Sequence, residues 1–230
     1  VVAVISLAGW QLGGFRLSLL CGCLTLFIAF VGQWPKAMVT VYLCGLSVVI
    51  AFMIGCPIGI IAAGNERLHR IVQAFIDTLQ TLPSFVYLMP VVMLFRVGDF
   101  AAMIAVVAYA VAPAIRYTNH GIRRVSPHLI EAAVASGCTP RQILWKVRLP
   151  LALPEIMLGV NQTIMMALSM LVITALVGTR DLGQEVYIAL TKADSGRGLV
   201  AGICVAFLAI ISDRLISAWS TRRKAELGLE

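Results

Sequence analysis

Charged residues are scarce in this sequence. Asp, Glu, Lys and Arg together make up 13% of the 230 residues, against ~25% in soluble globular domains. Hydrophobic residues make up 60%, and the mean hydropathy is +0.94. The apolar runs recur to the end of the chain, so a secretory signal peptide does not account for them. These proportions exclude an ordinary soluble domain and predict an integral membrane protein.

Patterns for metal binding, phosphate binding and catalysis are also missing. The six cysteines show no C-x-x-C spacing and the three histidines are not clustered, so no metal site or disulfide is predicted. The G-x-x-x-x-G-K-[ST] motif is absent, which excludes ATP hydrolysis by this chain. An intramembrane enzyme is disfavoured because the apolar runs hold no Ser-His, paired-Asp or His-Glu zinc arrangement.

About seven apolar runs are present, and a helix needs ~20 residues to cross a bilayer. The alternating strands of a β-barrel do not occur, so the sequence predicts an all-α, polytopic transmembrane bundle. Because the first residue is Val rather than Met, we expect upstream sequence to precede the first run. The Thr81-Leu82-Pro83-Ser84 stretch predicts a break inside the fourth run. The runs are 1–12, 17–31, 37–63, 71–95, 100–117, 151–177 and 199–219.

Lys and Arg are distributed unevenly between the two sides of the predicted bundle. The richer side carries Arg16, Arg67, Arg70, Arg116, Arg123, Arg124, Arg141, Lys146, Arg148, Arg222, Arg223 and Lys224. The poorer side carries Lys36, Arg96, Arg180, Lys192 and Arg197. The positive-inside rule assigns the richer side to the cytoplasm. The net charge of +7 is therefore attributed to cytoplasmic loops rather than to nucleic-acid binding.

The polar segment EAAVASGCTPRQILWKVRLP, residues 131–150, interrupts the apolar pattern on the predicted cytoplasmic side. Ser126-Pro127 predicts the start of a short helix, and Gly137 predicts its end. Thr139, with Gln142 three residues later, has capping-box spacing and predicts a second short helix. We expect Pro150 and Pro154 to bound a turn into the next membrane helix.

From its residue pattern alone, this segment has two interpretations. It is an amphipathic connector whose basic residues contact anionic headgroups, or it is a docking element for another protein. The small side chains of Ala132 and Ala133 beside Glu131 would allow a partner to approach closely.

The anchor residues of the segment resemble the EAA…G…I-x-LP signature of ABC importer permeases, and the departure is Val for Ile at position 147. The resemblance implies a type I importer permease (MetI-like) fold with N-terminal helices in 1–34, a five-helix core in 35–220 and a cytoplasmic tail in 221–230. It implies that residues 121–150 are the coupling loop, which docks on an ATP-binding subunit present in two copies. ATP and Mg²⁺ then belong to that partner, and this chain holds no cofactor. The anchors are Glu131, Ala132, Ala133, Gly137, Val147, Leu149 and Pro150.

Residues 79–99, 112–122 and 178–184 resemble the glycine betaine/proline betaine permease group, and the resemblance runs from about Trp34 onward. It implies a permease homodimer in the bacterial inner membrane, with a separate extracellular or periplasmic substrate-binding protein. The distribution of Lys and Arg predicts a cytoplasmic C-terminus. Membrane lipid and a small solute are the other partners, and nucleic acid is not. Choline, carnitine, an amino acid or a sulfonate remain alternative solutes. A non-transporting sensor or scaffold subunit is the alternative of a different class.

The run 151–177 carries polar and flexible side chains that do not suit a lipid-facing surface. They either contact a neighbouring helix or line the translocation path, and we treat them as candidate path residues. Asp77, an ionisable group at membrane depth, is either functional or an interfacial cap. The candidate path residues are Asn161, Gln162, Thr163, Met166, Ser169 and Met170.

Aromatic residues give little support for a substrate cage within the bundle. Quaternary ammonium groups are typically bound by such cages, best built with Trp, and the four tryptophans are predicted near helix ends or in loops. Tyr87 and Tyr109, with Phe85, are the nearest substitutes. We therefore expect substrate discrimination to lie in the separate binding protein.

Overall fold

The computed structural model describes residues 2–226, and these are organised as ten α-helices. A π-helical turn, Leu144–Arg148, joins the seventh helix to the eighth, and a 3-10 turn, Ala175–Val177, follows the eighth. The helices are α1 Val2–Phe30, α2 Trp34–Ala63, α3 Glu66–Thr81, α4 Ser84–Phe95, α5 Asp99–Arg123, α6 Pro127–Ala135, α7 Pro140–Ile143, α8 Leu149–Thr174, α9 Leu182–Thr191 and α10 Ser195–Glu226.

Five helical stretches in the described chain are long and apolar enough to cross a membrane, and the number is six if a bent pair of helices is counted as one span. Four of the five are α2, α5, α10 and α1, the last taken as one stretch of 29 residues although it is sharply bent inside. The fifth is a continuous stretch of 38 residues, Pro140–Val177. The bent pair is α3 and α4, which meet at 91°. The structure thus confirms an all-α bundle but with fewer spans than the seven apolar runs.

The first two apolar runs both lie in α1, which folds back at Gly14 (φ 76°, ψ −168°). A methyl group added at Gly9 would lie 3.1 Å from Ser18 Cα, and one at Gly22 would lie 3.0 Å from Ser6 Oγ. In an uninterrupted helix, Gly9 and Ser18 would be ~13 Å apart. The two halves of α1 therefore pack side by side, and each is shorter than the ~20 residues of a full span.

The predicted break at Pro83 is confirmed. Proline lacks the N–H that would continue the helix and disfavours helical backbone at the residue before it, and Leu82 has extended angles (φ −71°, ψ 134°). The hydroxyl of Tyr87 donates to the carbonyl of Leu79 across the break. That hydrogen bond ties the start of α4 to the end of α3.

The bundle is built around α5, which packs most extensively against α2 and α8. Glycines allow these close approaches, because a Cβ at Gly59 would lie 2.8 Å from the Ile115 carbonyl oxygen and one at Gly159 would lie 2.6 Å from Tyr117 Cβ. Small residues at helix contacts are typical of membrane bundles, where close packing replaces the hydrophobic effect as the driving force.

Replacing Gly59 with alanine is expected to separate α2 from α5, because the backbone carbonyl it meets cannot rotate away. Overpacking of this kind costs about 1–3 kcal/mol. A lower midpoint of thermal unfolding in detergent would show the effect. Gly45 is the matched control, since it lies on the same helix with nothing within 4 Å of an added methyl group. Equal midpoints for the two alanine variants would contradict the assignment.

Ion pairs define one end of the bundle, here called the basic end. Arg123 contacts Glu66 at 2.7 Å and Arg124 contacts Glu155 at 3.2 Å, which joins the end of α5 to the starts of α3 and α8. The segment 121–150 and the last turns of α10 lie at this end. The predicted tail begins inside α10, which continues to residue 226, and residues 1 and 227–230 lie outside the described chain.

Candidate functional site

The segment 121–150 begins in the last turn of α5, and its first separate helix is α6, with Pro127 in its first turn. Gly137 ends it in the left-handed region, at φ 77°. The Gly137 N–H donates to the Val134 carbonyl (2.9 Å), and the Cys138 N–H donates to the Ala133 carbonyl (3.1 Å). These bonds satisfy carbonyls that a helix end leaves unpaired. The predicted glycine stop is confirmed.

The second helix begins with the predicted capping box. The Gln142 N–H donates to Thr139 Oγ1 (3.4 Å), and the Thr139 N–H donates to Gln142 Oε1 (2.8 Å). Because the box is exposed and ties only this turn, its removal is expected to have a local effect.

Replacing Thr139 with alanine is expected to destabilise the start of α7 by about 1 kcal/mol, the usual loss for a helix cap. Faster hydrogen exchange at the Gln142 amide would measure it. Thr191→Ala serves as control, because the Thr191 hydroxyl donates back to the Ile188 carbonyl and caps no helix start. Unchanged exchange at Gln142 in the Thr139 variant would count against the capping box.

The expected turn at Pro150 and Pro154 is wrong. Helix α7 runs through the π-helical turn Leu144–Arg148 directly into α8, which has Pro150 in its first turn and Pro154 inside it. The π-helical turn contains Lys146, whose carbonyl the ring of Pro150 would meet in a regular helix, so the wider turn gives this ring room. The second half of the segment is therefore a rigid extension of α8 rather than a separate short helix.

Apart from buried Ala133, exposure divides the signature residues into two groups. Glu131, Ala132 and Gly137 are exposed at the basic end, and the Glu131 side chain is 76% exposed. Three others, Val147, Leu149 and Pro150, are half-buried where the extension meets the bundle. The first group is thus available to a partner, while the second anchors the extension.

Trp145 extends the exposed surface of the segment and was not singled out from the sequence. It lies in the π-helical turn and is 68% exposed. Val134 and Leu129 on α6 are also exposed apolar residues. The sequence could have indicated Trp145 as a surface residue, because it is a large aromatic residue inside a basic loop. Such a residue is equally typical of a membrane interface.

The candidate path residues of α8 do not share one face. Asn161 Nδ2 donates to Asp213 Oδ1 on α10 (2.6 Å), which places Asn161 in helix packing. Thr163 and Met170 are buried, and Met166 is half-buried.

Two of the candidate path residues, Gln162 and Ser169, are exposed and lie two turns apart on one side of α8. The Ser169 hydroxyl donates to the Met165 carbonyl (2.9 Å). This exposed side is the part of α8 that remains available to a path.

Asp77 has a charged partner that the sequence did not reveal. Arg116 Nη2 on α5 lies 2.5 Å from Asp77 Oδ1 on α3.

Two of the aromatic residues considered for a substrate cage contact each other. The rings of Tyr87 and Tyr109 meet edge to face with centroids 5.6 Å apart. Trp145 and Trp219 lie at the basic end, so neither contributes to an aromatic group inside the bundle.

At the opposite end of the bundle, α9 is held by buried carboxylates rather than lying free on the surface. Glu185 contacts Lys36 of α2, and Arg197 Nε of α10 lies 2.5 Å from Glu185 Oε2. The Leu182 N–H donates to Thr40 Oγ1 (3.0 Å). These contacts join the starts of three helices.

Asp181 caps the start of α9 and is fully buried. Burial raises the pKa of this carboxyl, and hydrogen bonds from the Gln184 N–H and the Thr179 hydroxyl, both 3.1 Å, oppose that rise. Within residues 2–226, no three His, Cys, Asp or Glu side chains are grouped closely enough to hold a metal ion.

The fold and the segment define a class of protein. The matching family model describes the inner membrane component of binding-protein-dependent transport systems and covers residues 55–224. The chain belongs to this family.

Three relatives show which transport permeases the chain is similar to. The chain is 47% identical over 223 residues to the trimethylamine N-oxide transport system permease protein TmoV of Pelagibacter ubique, covering 96% of this chain and 31% of that protein. It is 41% identical over 217 residues to the glycine betaine/proline betaine permease ProW of Escherichia coli, covering 94% and 61%. It is 42% identical over 221 residues to the glycine betaine permease OpuAB of Bacillus subtilis, covering 96% and 78%. The chain thus spans about a third of TmoV and about three-fifths of ProW.

Solved structures confirm the predicted fold. The chain aligns with an inward-facing MetNI methionine ABC transporter at a TM-score of 0.72 and 24% identity, covering 80% of this chain and 94% of that one. It aligns with an amino acid ABC transporter at 0.69 and 20% identity, covering 85% and 98%. The bundle therefore has the MetI-type importer permease fold.

Proposed function

We propose that this chain is the membrane-spanning subunit of an ABC importer that takes up a small N-methylated osmolyte of the glycine betaine type. The carrying observation is the signature segment, in which exposed Glu131 and Ala132 are presented by α6 beside a rigid extension of α8. Two ATP-binding subunits dock on this surface, one for each copy of the permease. ATP and Mg²⁺ are held by those subunits.

The basic end faces the cytoplasm in this proposal, and so does the C-terminus. The excess of Lys and Arg at that end supports the orientation through the positive-inside rule. The docking surface of the segment lies at the same end, where an ATP-hydrolysing partner would meet it. Glu185 and α9 then lie on the external side, where a substrate-binding protein delivers the solute.

Coupling follows from the continuity of the helix Pro140–Val177. When the ATP-binding subunits close, they push the two copies of the segment together. Because no flexible turn separates α7 from α8, a displacement of the second half of the segment passes along α8 to α5 and α10, which pack against it. The bundle then moves from inward-open to outward-open as a rigid body.

The solute class is supported by the named relatives. The names of these relatives refer to glycine betaine, proline betaine and trimethylamine N-oxide. These compounds share a fully substituted, positively charged nitrogen and a negatively charged oxygen. The common feature of the proposed substrate is therefore a small zwitterion without an N–H donor.

The test is uptake by proteoliposomes that contain the permease with its co-purified ATP-binding subunit and binding protein. We expect ATP-dependent uptake of radiolabelled glycine betaine, inhibited by excess trimethylamine N-oxide and insensitive to methionine. Uptake of methionine or a sulfonate without uptake of any N-methylated amine would overturn the solute assignment. ATP hydrolysis without uptake of any solute would favour a sensor or scaffold subunit.

A further inference from the structure

A polar cavity of about 360 Å³ opens between α3 and α5, a volume within the ~300–1,000 Å³ range of small-molecule sites. It lies beside a polar stripe on α3. The residues of this stripe share one face of the helix because successive members are seven, four and three residues apart. They are Glu66, Gln73, Asp77 and Gln80. The opposite face of α3 is apolar. The cavity is lined by Gln73, Asp77, Arg116, Tyr117 and His120.

The cavity extends from near the basic end along α3 and α5. His120, one turn before Arg123, lines its near part, and Asp77 and Arg116 line it farther along the two helices. Asp77 is eleven residues along α3 from Glu66, which corresponds to ~16 Å of helix. Glu66 pairs with Arg123 at the basic end, on the same two helices. Ionised side chains at membrane depth face a protein interior or a water-filled route, because lipid offers no compensation for their charge.

The charged side chains that line the cavity are only partly engaged in contacts with other residues of the protein. The side chains of Asp77 and Arg116 are 63% and 37% exposed, so each remains accessible from the cavity while they contact each other. Arg116 Nε is buried and has no hydrogen-bond partner among the described residues. A carboxylate and a guanidinium that can each form further contacts therefore lie side by side.

We propose that this cavity is a binding subsite for the zwitterionic solute inside the translocation path, an inference that rests on the proposed function. The substituted ammonium group of the solute lies against the Asp77 carboxylate and the ring of Tyr117. Its anionic oxygen accepts hydrogen bonds from the exposed end of the Arg116 guanidinium.

This arrangement fits the chemistry of both ends of the solute. A quaternary ammonium group has no N–H to donate, so it is held by charge and by an aromatic face, which Asp77 and Tyr117 supply. A guanidinium binds carboxylates through two parallel hydrogen bonds. Opening an ion pair as exposed as Asp77–Arg116 costs little, and the solute replaces its one contact with two.

Tyr117 links the cavity to the moving part of the bundle. Its Cβ packs at Gly159 of α8, where an added methyl group would lie only 2.6 Å away. Because α8 continues into the segment that docks the ATP-binding subunits, a displacement of α8 reaches one wall of the cavity directly. The subsite would thus release its solute as the bundle changes state.

The test measures binding to the purified permease–ATPase complex without binding protein, using radiolabelled glycine betaine and radiolabelled choline, which has the ammonium group but no carboxylate. Arg116→Gln is expected to weaken glycine betaine binding at least ~10-fold, the loss of a charge-assisted contact, and to leave choline binding unchanged. Asp77→Asn is expected to weaken the binding of both. Uptake with saturating binding protein should fall in parallel.

Arg123→Gln is the matched control, because it breaks the Glu66 pair on the same helices and leaves the cavity intact. Arg116→Lys keeps the charge and serves if the glutamine variant is not monodisperse; an intermediate loss is expected for it. Equal binding of glycine betaine by the Arg116, Asp77 and Arg123 variants would overturn the subsite. So would an Arg116→Gln variant whose choline binding is weakened as much as its glycine betaine binding. If the wild-type complex transports no N-methylated amine, the proposed function itself fails.

Discussion

Replacing Gly137 with valine is expected to abolish ATP-dependent uptake while the protein still inserts and folds. Gly137 has φ 77°, a left-handed conformation in which a β-branched residue is strained by about 1–3 kcal/mol. Nothing lies within 4 Å of an added Cβ, so the effect comes from the backbone rather than from a clash. The chain relieves the strain by changing the angle between α6 and α7, which moves Glu131 relative to the rigid extension of α8.

Two controls separate the backbone effect from the effect of side-chain bulk. Gly137→Asn should keep most of the uptake, because asparagine tolerates the left-handed region. Gly202→Val adds the same bulk on α10, where nothing lies within 4 Å of the new Cβ, and is expected to keep uptake. The measurements are uptake in proteoliposomes and co-purification of the ATP-binding subunit. Full uptake by the Gly137→Val variant would refute the docking role.

Local chemistry explains which features the sequence could predict. The break at Pro83, the stop at Gly137 and the capping box at Thr139 each depend on the backbone of a few neighbouring residues. The structure has all three. The failure at Pro150 also has a local cause, because a proline normally signals a turn but here lies just beyond a widened π-helical turn. This difference matters for the mechanism, because a continuous helix connects the segment to α8 where the predicted turn would have formed a hinge.

Tertiary contacts explain the features that the sequence could not predict. Asp77 and Arg116 are 39 residues apart, and no spacing rule connects them. The polar residues of α8 formed one set by composition, yet Asn161 faces α10 while Gln162 is exposed. A polar residue in a membrane helix can contact a helix partner or line a path. Only the position of α10 separates these two roles for Asn161.

The carboxylate of Glu185 provides the second large expected effect. Its side chain is 2% exposed, whereas those of its partners Lys36 and Arg197 are 36% and 35% exposed. Removing both cations, with Lys36→Met and Arg197→Met together, leaves a buried carboxylate without compensation. Breaking a buried ion pair in this way costs about 3–5 kcal/mol. We expect α9 to detach from the starts of α2 and α10.

Removing the carboxylate should cost less than removing its partners. In a Glu185→Gln variant, Lys36 and Arg197 can turn toward water, and the amide keeps part of the hydrogen bonding; we expect a loss of about 1–3 kcal/mol. A triple variant with Glu185→Leu, Lys36→Met and Arg197→Met should recover much of the stability of the original protein, because apolar groups can replace a buried ion pair at little cost. Unfolding midpoints in detergent and hydrogen exchange of α9 measure these differences. If the carboxylate and the two cations proved equally costly to remove, burial of Glu185 would not be what makes this contact strong.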